Sequence, residues 1–226
     1  IKKQNLSMSE VVENIQKFKK NIPENVTLVA VSKTKPMPMI LEAYEIGHRV
    51  FGENKVQDLV DKYEALPKDI EWHMIGHLQT NKAKYIAPFV SLIHGVDSSK
   101  LLIEINKRAK KSDRIQPVLL QLHIADEESK FGLSYEEANE LLALSKTEEL
   151  SHITIKGFMG MSTNTEDQSQ VEKEFKGLND FYKSKKLEYP EIEILSMGMS
   201  GDYELAIANG SNMVRIGSTL FGARNY

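Results

Sequence analysis

Along most of the chain, short apolar runs alternate with longer stretches in which apolar residues recur every three to four positions. The short runs read as buried strands and the longer stretches as amphipathic helices. An opening helix is predicted over residues 7–21, with Ser7 or Ser9 as its cap and Val11, Val12, Ile15 and Phe18 on its apolar stripe. Strands follow at 28–31, 49–52, 70–75, 91–96, 116–124, 153–159, 193–196 and 213–216, the fifth being the longest. Helices are predicted between them at 38–46, 54–66, 81–86, 98–111, 134–144, 166–184 and 201–209. Local signals mark the ends of these elements. Pro23 closes the first helix, Pro38 sits at a first-turn position, and Gly47 and Gly210 act as stops. Asp97 or Ser98 caps one helix, and Ser134 with Glu137 three residues later forms a capping box for another.

Repeated strand–helix units imply a parallel sheet. Eight of them in 226 residues fit a single α/β domain spanning 1–226, a closed (β/α)8 TIM-type barrel with an extra N-terminal helix. An open doubly wound sheet is the alternative. It would carry a glycine-rich nucleotide turn after its first strand, where this chain has Ser32–Lys33–Thr34.

A composition of 41% hydrophobic and 27% charged residues is that of an ordinary globular protein. The net charge of −3 gives no basic field for nucleic acid. The absence of cysteine removes disulfides, thiol nucleophiles and thiolate metal sites. No apolar run approaches the roughly 20 residues of a membrane span, and no signal-peptide pattern is visible. The expectation is a cytoplasmic monomer.

The first strand ends in Ser32–Lys33–Thr34–Lys35–Pro36. A lysine held at the end of a buried strand is partly desolvated. That favours the neutral amine and equips Lys33 to attack a carbonyl as a Schiff-base former. The plain alternative is that Lys33 and Lys35 are two solvated lysines. The seventh strand runs into Met197–Gly198–Met199–Ser200–Gly201–Asp202 and the eighth into Gly217–Ser218–Thr219. Glycines and hydroxyls ahead of a helix suit an anion, and phosphate commonly sits after strands seven and eight of such a barrel. Arg215 alternates with Val214 and Ile216 and so faces the other way. Lysine, anion loops and arginine together suggest pyridoxal 5′-phosphate, with its aldehyde at Lys33, its phosphate at the two loops and its ring nitrogen at Arg215. A structural ion pair is the alternative role for Arg215. His73 and His77 stand four apart, but one falls in a strand and the other in a loop, without the further ligands a metal site needs. No metal is expected. Lys130 could reach an anion.

Several pieces, in order, resemble the pyridoxal phosphate homeostasis protein family, whose members are single-domain relatives of the alanine racemase N-terminal barrel. They are residues 29–36, Phe51–Gly52–Glu53–Asn54, residues 72–82, residues 128–133, residues 195–202 and residues 214–222. The resemblance implies the cofactor aldimine on Lys33 rather than Lys35, and phosphate contacts from Ser200, Gly217 and Ser218. It also implies Arg215 at the pyridine nitrogen, Asn54 along the cofactor face and Met199 packed near it. The function it implies is reversible cofactor binding in intracellular vitamin B6 homeostasis, with PLP-dependent apo-enzymes as partners and little or no turnover. Lys55, Asp58 and Ser162–Thr163 depart from the family's usual residues at the rim. An amino-acid racemase and a Schiff-base aldolase acting on a sugar phosphate share most of these parts. The racemase needs a second acid or base opposite the lysine, which in alanine racemase is a tyrosine contributed by a second domain. Tyr85, Tyr135 and Tyr203 do not fall in an equivalent segment.

Overall fold

The computed structural model describes residues 8–128 and 131–223. Eight parallel strands close into a barrel in sequence order, with the last pairing back to the first. They are β1 (Thr27–Val31), β2 (Val50–Glu53), β3 (Glu71–Met74), β4 (Leu92–Val96), β5 (Gln116–Gln121), β6 (Ile153–Met159), β7 (Ile194–Ser196) and β8 (Met213–Ile216). The extra helix α1 (Met8–Lys20) precedes them. Between and after the strands come α2 (Met37–Glu45), α3 (Val56–Ala65), α4 (Ala83–Ile86), α5 (Ser99–Lys111), α6 (Tyr135–Leu144), α7 (Gln168–Glu188), α8 (Tyr203–Ala208) and α9 (Ser218–Phe221).

The barrel matches the sequence pattern, and the differences are local. The fifth strand stops at Gln121 instead of 124, because the chain turns there to bond Leu133, whose N–H donates to Gln121 O. The longest strand is therefore β6, with seven residues. The expected helix at 81–86 divides into a 3-10 turn, Thr80–Lys82, and the single turn of α4. Ser98 rather than Asp97 caps α5, accepting from Leu101 N–H at 3.1 Å. The capping box of Ser134 and Glu137 forms in both directions. Ser9 lies within α1 rather than before it, and Ser7 falls outside the described residues.

Alternation along the strands sorts the apolar residues into two cores. Between strands and helices lies the larger, with Ala30, Phe51, Trp72, Phe158, Leu195 and Val214 facing the helices. Inside the ring, Val29, Leu92, Leu119, Met159 and Met213 pack with Val50, Ile75, Met161 and Ile194. At Gly157 (φ +153°) a Cβ would lie 1.8 Å from Ile194 O, so glycine lets β6 and β7 approach.

One polar cluster sits among the outward-facing residues, at the junction of β1, β2 and α3. Ser32 Oγ donates to Glu53 Oε1 at 2.7 Å, and Lys62 of α3 donates to the same carboxylate oxygen and to Ser32 O, the latter at 2.8 Å. All three are buried, and Glu53 Oε2 is buried with no hydrogen-bond partner among the described residues. Burial raises the Glu53 pKa, with Lys62 opposing that shift. Because strand neighbours point to opposite faces, this outward cluster fixes the backbone that carries the inward-facing Lys33 and Asn54.

Removing one partner from a buried ion pair leaves a charge uncompensated. Lys62→Met is expected to lose about 3–5 kcal/mol of stability by urea unfolding. Adding Glu53→Gln to Lys62→Met should restore more than half of that loss, whereas additive losses would contradict the pairing.

The His48 ring, edge-on to Phe51, is a second buried titratable group, and its Nε2 lies 2.7 Å from Val50 O. Burial, reinforced by Lys19 and Arg49, lowers its pKa from 6.5 to about 4. Between those values the unfolded chain binds the proton and the folded chain does not. Stability is therefore full above about pH 6.5 and lost as pH falls toward 4. The stability difference between pH 7 and pH 5 should shrink by about 1–2 kcal/mol in His48→Gln. An undiminished difference would place the acid sensitivity elsewhere.

Candidate functional site

The C-terminal strand ends surround a cavity of about 460 Å3. Lys33, Asn54, Met199, Ser200, Arg215, Gly217 and Ser218 all line it. They come from the ends of β1, β2, β7 and β8, far apart in sequence and adjacent in the ring. Val31, Ile75 and Met161 supply apolar wall, and Gln121, His77 and Phe131 complete the far side. Among the described residues no aspartate, glutamate or tyrosine lines the cavity, while Lys33, Lys35 and Arg215 do. This donor set suits an anion.

The two neighbouring lysines occupy different settings. Lys35 Nζ donates to Phe221 O, Gly222 O and Ala223 O at 3.1–3.2 Å, which ties its head group to the C-terminal end of α9. Lys33 stands between β1 and a tight turn in which Lys35 N–H donates to Ser32 O at 3.0 Å. Thr34 takes φ 65° in that turn, a conformation that glycine adopts easily and a β-branched residue adopts at a cost.

Arg215 forms part of the cavity wall and is itself only 4% exposed. Its Nη1 donates to Ser196 Oγ at 2.5 Å and Ser196 O at 3.0 Å, and its Nη2 donates to Gly160 O at 3.3 Å. Its hydrogen-bond acceptors among the described residues are thus carbonyls and a hydroxyl. The structural ion pair considered as an alternative does not form; Asp202 acts on Arg215 only through its charge. Burial lowers the Arg215 pKa to about 10, which leaves the guanidinium protonated at neutral pH.

The loop after β7 is held by Asp202, whose Oδ1 accepts from Met199 N–H at 2.7 Å. Beside Asn54, a Cβ on Gly76 would lie 2.5 Å from Asn54 O, so glycine permits the close approach of two strand ends. Met199 is 39% exposed at the rim.

The two histidines singled out in sequence part company. His77 stacks on Phe131 at the rim, with centroids 4.3 Å apart, and its Nδ1 lies 3.5 Å from Asp97. His73 faces the barrel interior, where its Nδ1 meets His94 Nε2 at 2.9 Å. His94 Nδ1 in turn lies 3.0 Å from Ser196 Oγ. Sequence reasoning missed His94 and Ser196. Their signal was parity: each lies two residues beyond an interior apolar residue, Leu92 and Ile194. Lys130 lies outside the described residues.

Comparison with known proteins bears on what occupies such a site. The family model "alanine racemase, N-terminal domain" matches residues 6–225. The pyridoxal phosphate homeostasis protein of Aquifex aeolicus is 42% identical, the match covering 97% of each chain. That of Escherichia coli K12 is 39% identical over 90% of this chain and 88% of its own. Among solved structures, PipY of Synechococcus elongatus with PLP bound is 32% identical with a TM-score of 0.84, covering 94% of this chain and all of its own. An alanine racemase of Clostridium difficile shares the fold, with a TM-score of 0.76 at 16% identity over 58% of its length. Fold, length and identity agree: the chain belongs to the family of the alanine racemase N-terminal domain, alongside the pyridoxal phosphate homeostasis proteins.

Proposed function

We propose that this protein binds pyridoxal 5′-phosphate at the barrel mouth, holds it covalently through Lys33, and serves the cell's vitamin B6 balance rather than a dedicated reaction. The observation that carries the reading is the convergence of Lys33, Arg215, Ser200, Gly217 and Ser218 on one cavity that no carboxylate lines among the described residues. The names of its homologues and the PLP-bound PipY structure support it. The donor set fits the cofactor: an amine for an aldehyde, hydroxyls and glycine backbone for a phosphate, a guanidinium for a ring nitrogen, and an apolar wall for the ring face.

When bound, the cofactor supplies an electrophilic carbon and an electron-accepting ring. Lys33 Nζ anchors that carbon. The Ser200 and Ser218 hydroxyls, with the backbone at Gly217, would hold the phosphate, and Asn54 and Met199 would line the space for the ring. Arg215 keeps its proton at neutral pH, so a ring nitrogen held against it would accept a hydrogen bond without taking a proton. An unprotonated ring withdraws electrons weakly, which disfavours carbanion chemistry. Racemisation also needs an acid or base on each face of the substrate carbon. Tyr85, Tyr135 and Tyr203, weighed for that role from sequence, are not among the residues lining the cavity. These features support cofactor holding, with exchange to apo-enzymes, over turnover.

The test is incubation with pyridoxal phosphate, borohydride reduction and peptide mass spectrometry. The expected adduct is on Lys33, with none at the site in Lys33→Ala and none on Lys35. An adduct on Lys35 would move the anchor, and failure of the wild type to take up the cofactor would remove the reading altogether. With alanine, serine and glutamate as substrates, racemisation is expected to stay at background; turnover at ordinary enzymatic rates would reinstate the racemase.

A further inference from the structure

The cavity wall at Arg215 is backed by a row of buried polar groups that cofactor binding does not itself explain. Ser196 Oγ, His94 and His73 continue inward from the guanidinium at 2.5, 3.0 and 2.9 Å, and each of these residues is at most 4% exposed. The row runs from β8 through β7 to β4 and β3. Since β7 and β4 are not neighbours in the ring, the contact between Ser196 and His94 crosses the barrel interior.

The donor and acceptor roles in this row follow from its arginine end. A guanidinium can only donate, so Ser196 Oγ accepts. The single hydroxyl hydrogen of Ser196 has one acceptor within reach among the described residues, His94 Nδ1. That nitrogen therefore carries a lone pair, and the His94 hydrogen sits on Nε2, where it donates to His73 Nδ1. The His73 hydrogen is then on Nε2 as well. Both rings are neutral, in keeping with burial that lowers His73 to about 3 and, with the nearby charges of His73 and Arg215, holds His94 well below its ordinary value. A proton on His73 Nδ1 would set two donors against each other, and one on His94 Nδ1 would leave the Ser196 hydroxyl hydrogen without an acceptor.

We propose that Ser196, His94 and His73 are positioning residues, a one-directional hydrogen-bond chain that locks the plane of Arg215 and so aims its donor at the ring nitrogen of the cofactor. The aim at the nitrogen rests on the function proposed above; the direction of the chain does not.

Two measurements separate these parts. The first uses cofactor-free protein labelled with 15N-histidine, in long-range 1H–15N correlation spectra between pH 5.5 and 8, with His73→Gln and His94→Gln for assignment. The expected result is that both rings hold the neutral Nε2–H form throughout. A hydrogen on Nδ1 of either ring, or titration within the range, overturns the chain. The second compares the affinities of pyridoxal phosphate and its 1-deaza analogue, in which the ring nitrogen is replaced by C–H. Wild type is expected to favour the nitrogen-containing ligand by about tenfold, the size of one hydrogen bond to a charged group. In Ser196→Ala, and independently in His94→Gln, that preference should fall at least threefold, while affinity for the deaza analogue changes little. An unchanged ratio in both variants, or no preference in wild type, overturns the positioning role. If neither ligand binds wild type, the cofactor reading fails, and the tautomers still decide the chain.

Discussion

Closing eight strands into a ring gives every second side chain on each strand one destination, an interior that strand neighbours cannot share and water does not fill. That geometric constraint organises the molecule. Along β8 the inward positions read Met213 and then Arg215, with Gly217 following at the mouth. Along β1 they read Val29, Val31 and Lys33, and along β7 Ile194 and Ser196, with Ser200 beyond. Each sequence runs from apolar packing to polar function as it approaches the C-terminal face. An arginine in such an interior is tolerable because each nitrogen that faces protein finds an oxygen: Ser196 Oγ, Ser196 O and Gly160 O.

The outward positions carry a matching load. Ser32 and Glu53 turn away from the cavity and close on Lys62, while their chain neighbours Lys33 and Asn54 turn into it. A desolvated carboxylate with one unpartnered oxygen is costly as a stability device. Its geometric effect is to pin two strand ends and a helix together beneath the residues that meet a ligand. Lys35 acts at the other flank, gathering three carbonyls at the end of α9 and securing the segment that follows Ser218. Two lysines two residues apart thus divide the work between anchoring the fold and facing the cavity.

The barrel is shared with alanine racemase at 16% identity, which establishes architecture and nothing about reaction. What distinguishes one barrel from another is the set of groups at its mouth. Here Lys33, Arg215, hydroxyls and glycine backbone face the cavity, and among the described residues no carboxylate or tyrosine lines it. That donor set suits an anionic, carbonyl-bearing ligand.

The eight-fold alternation, the strand ends at Lys33, Ser200 and Gly217, and the inward face of Arg215 were legible along the chain. Each of these is a local property, set by apolar period, turn chemistry and strand parity, and the folded chain has all of them where that reasoning puts them. The early end of β5 and the divided helix before β4 were not legible, because bonds from Leu133 and a 3-10 turn decided them. Local pattern alone left Lys33 and Lys35 alike until the carbonyls at the end of α9 took Lys35, and it put His73 in a strand and His77 in a loop without showing their partners. The pairing of His73 with His94, and of Ser196 with Arg215, joins residues 21 and 19 positions apart, and that of His94 with Ser196 spans 102. Such contacts exist only once the ring has closed, because the interior is a place that no single strand possesses.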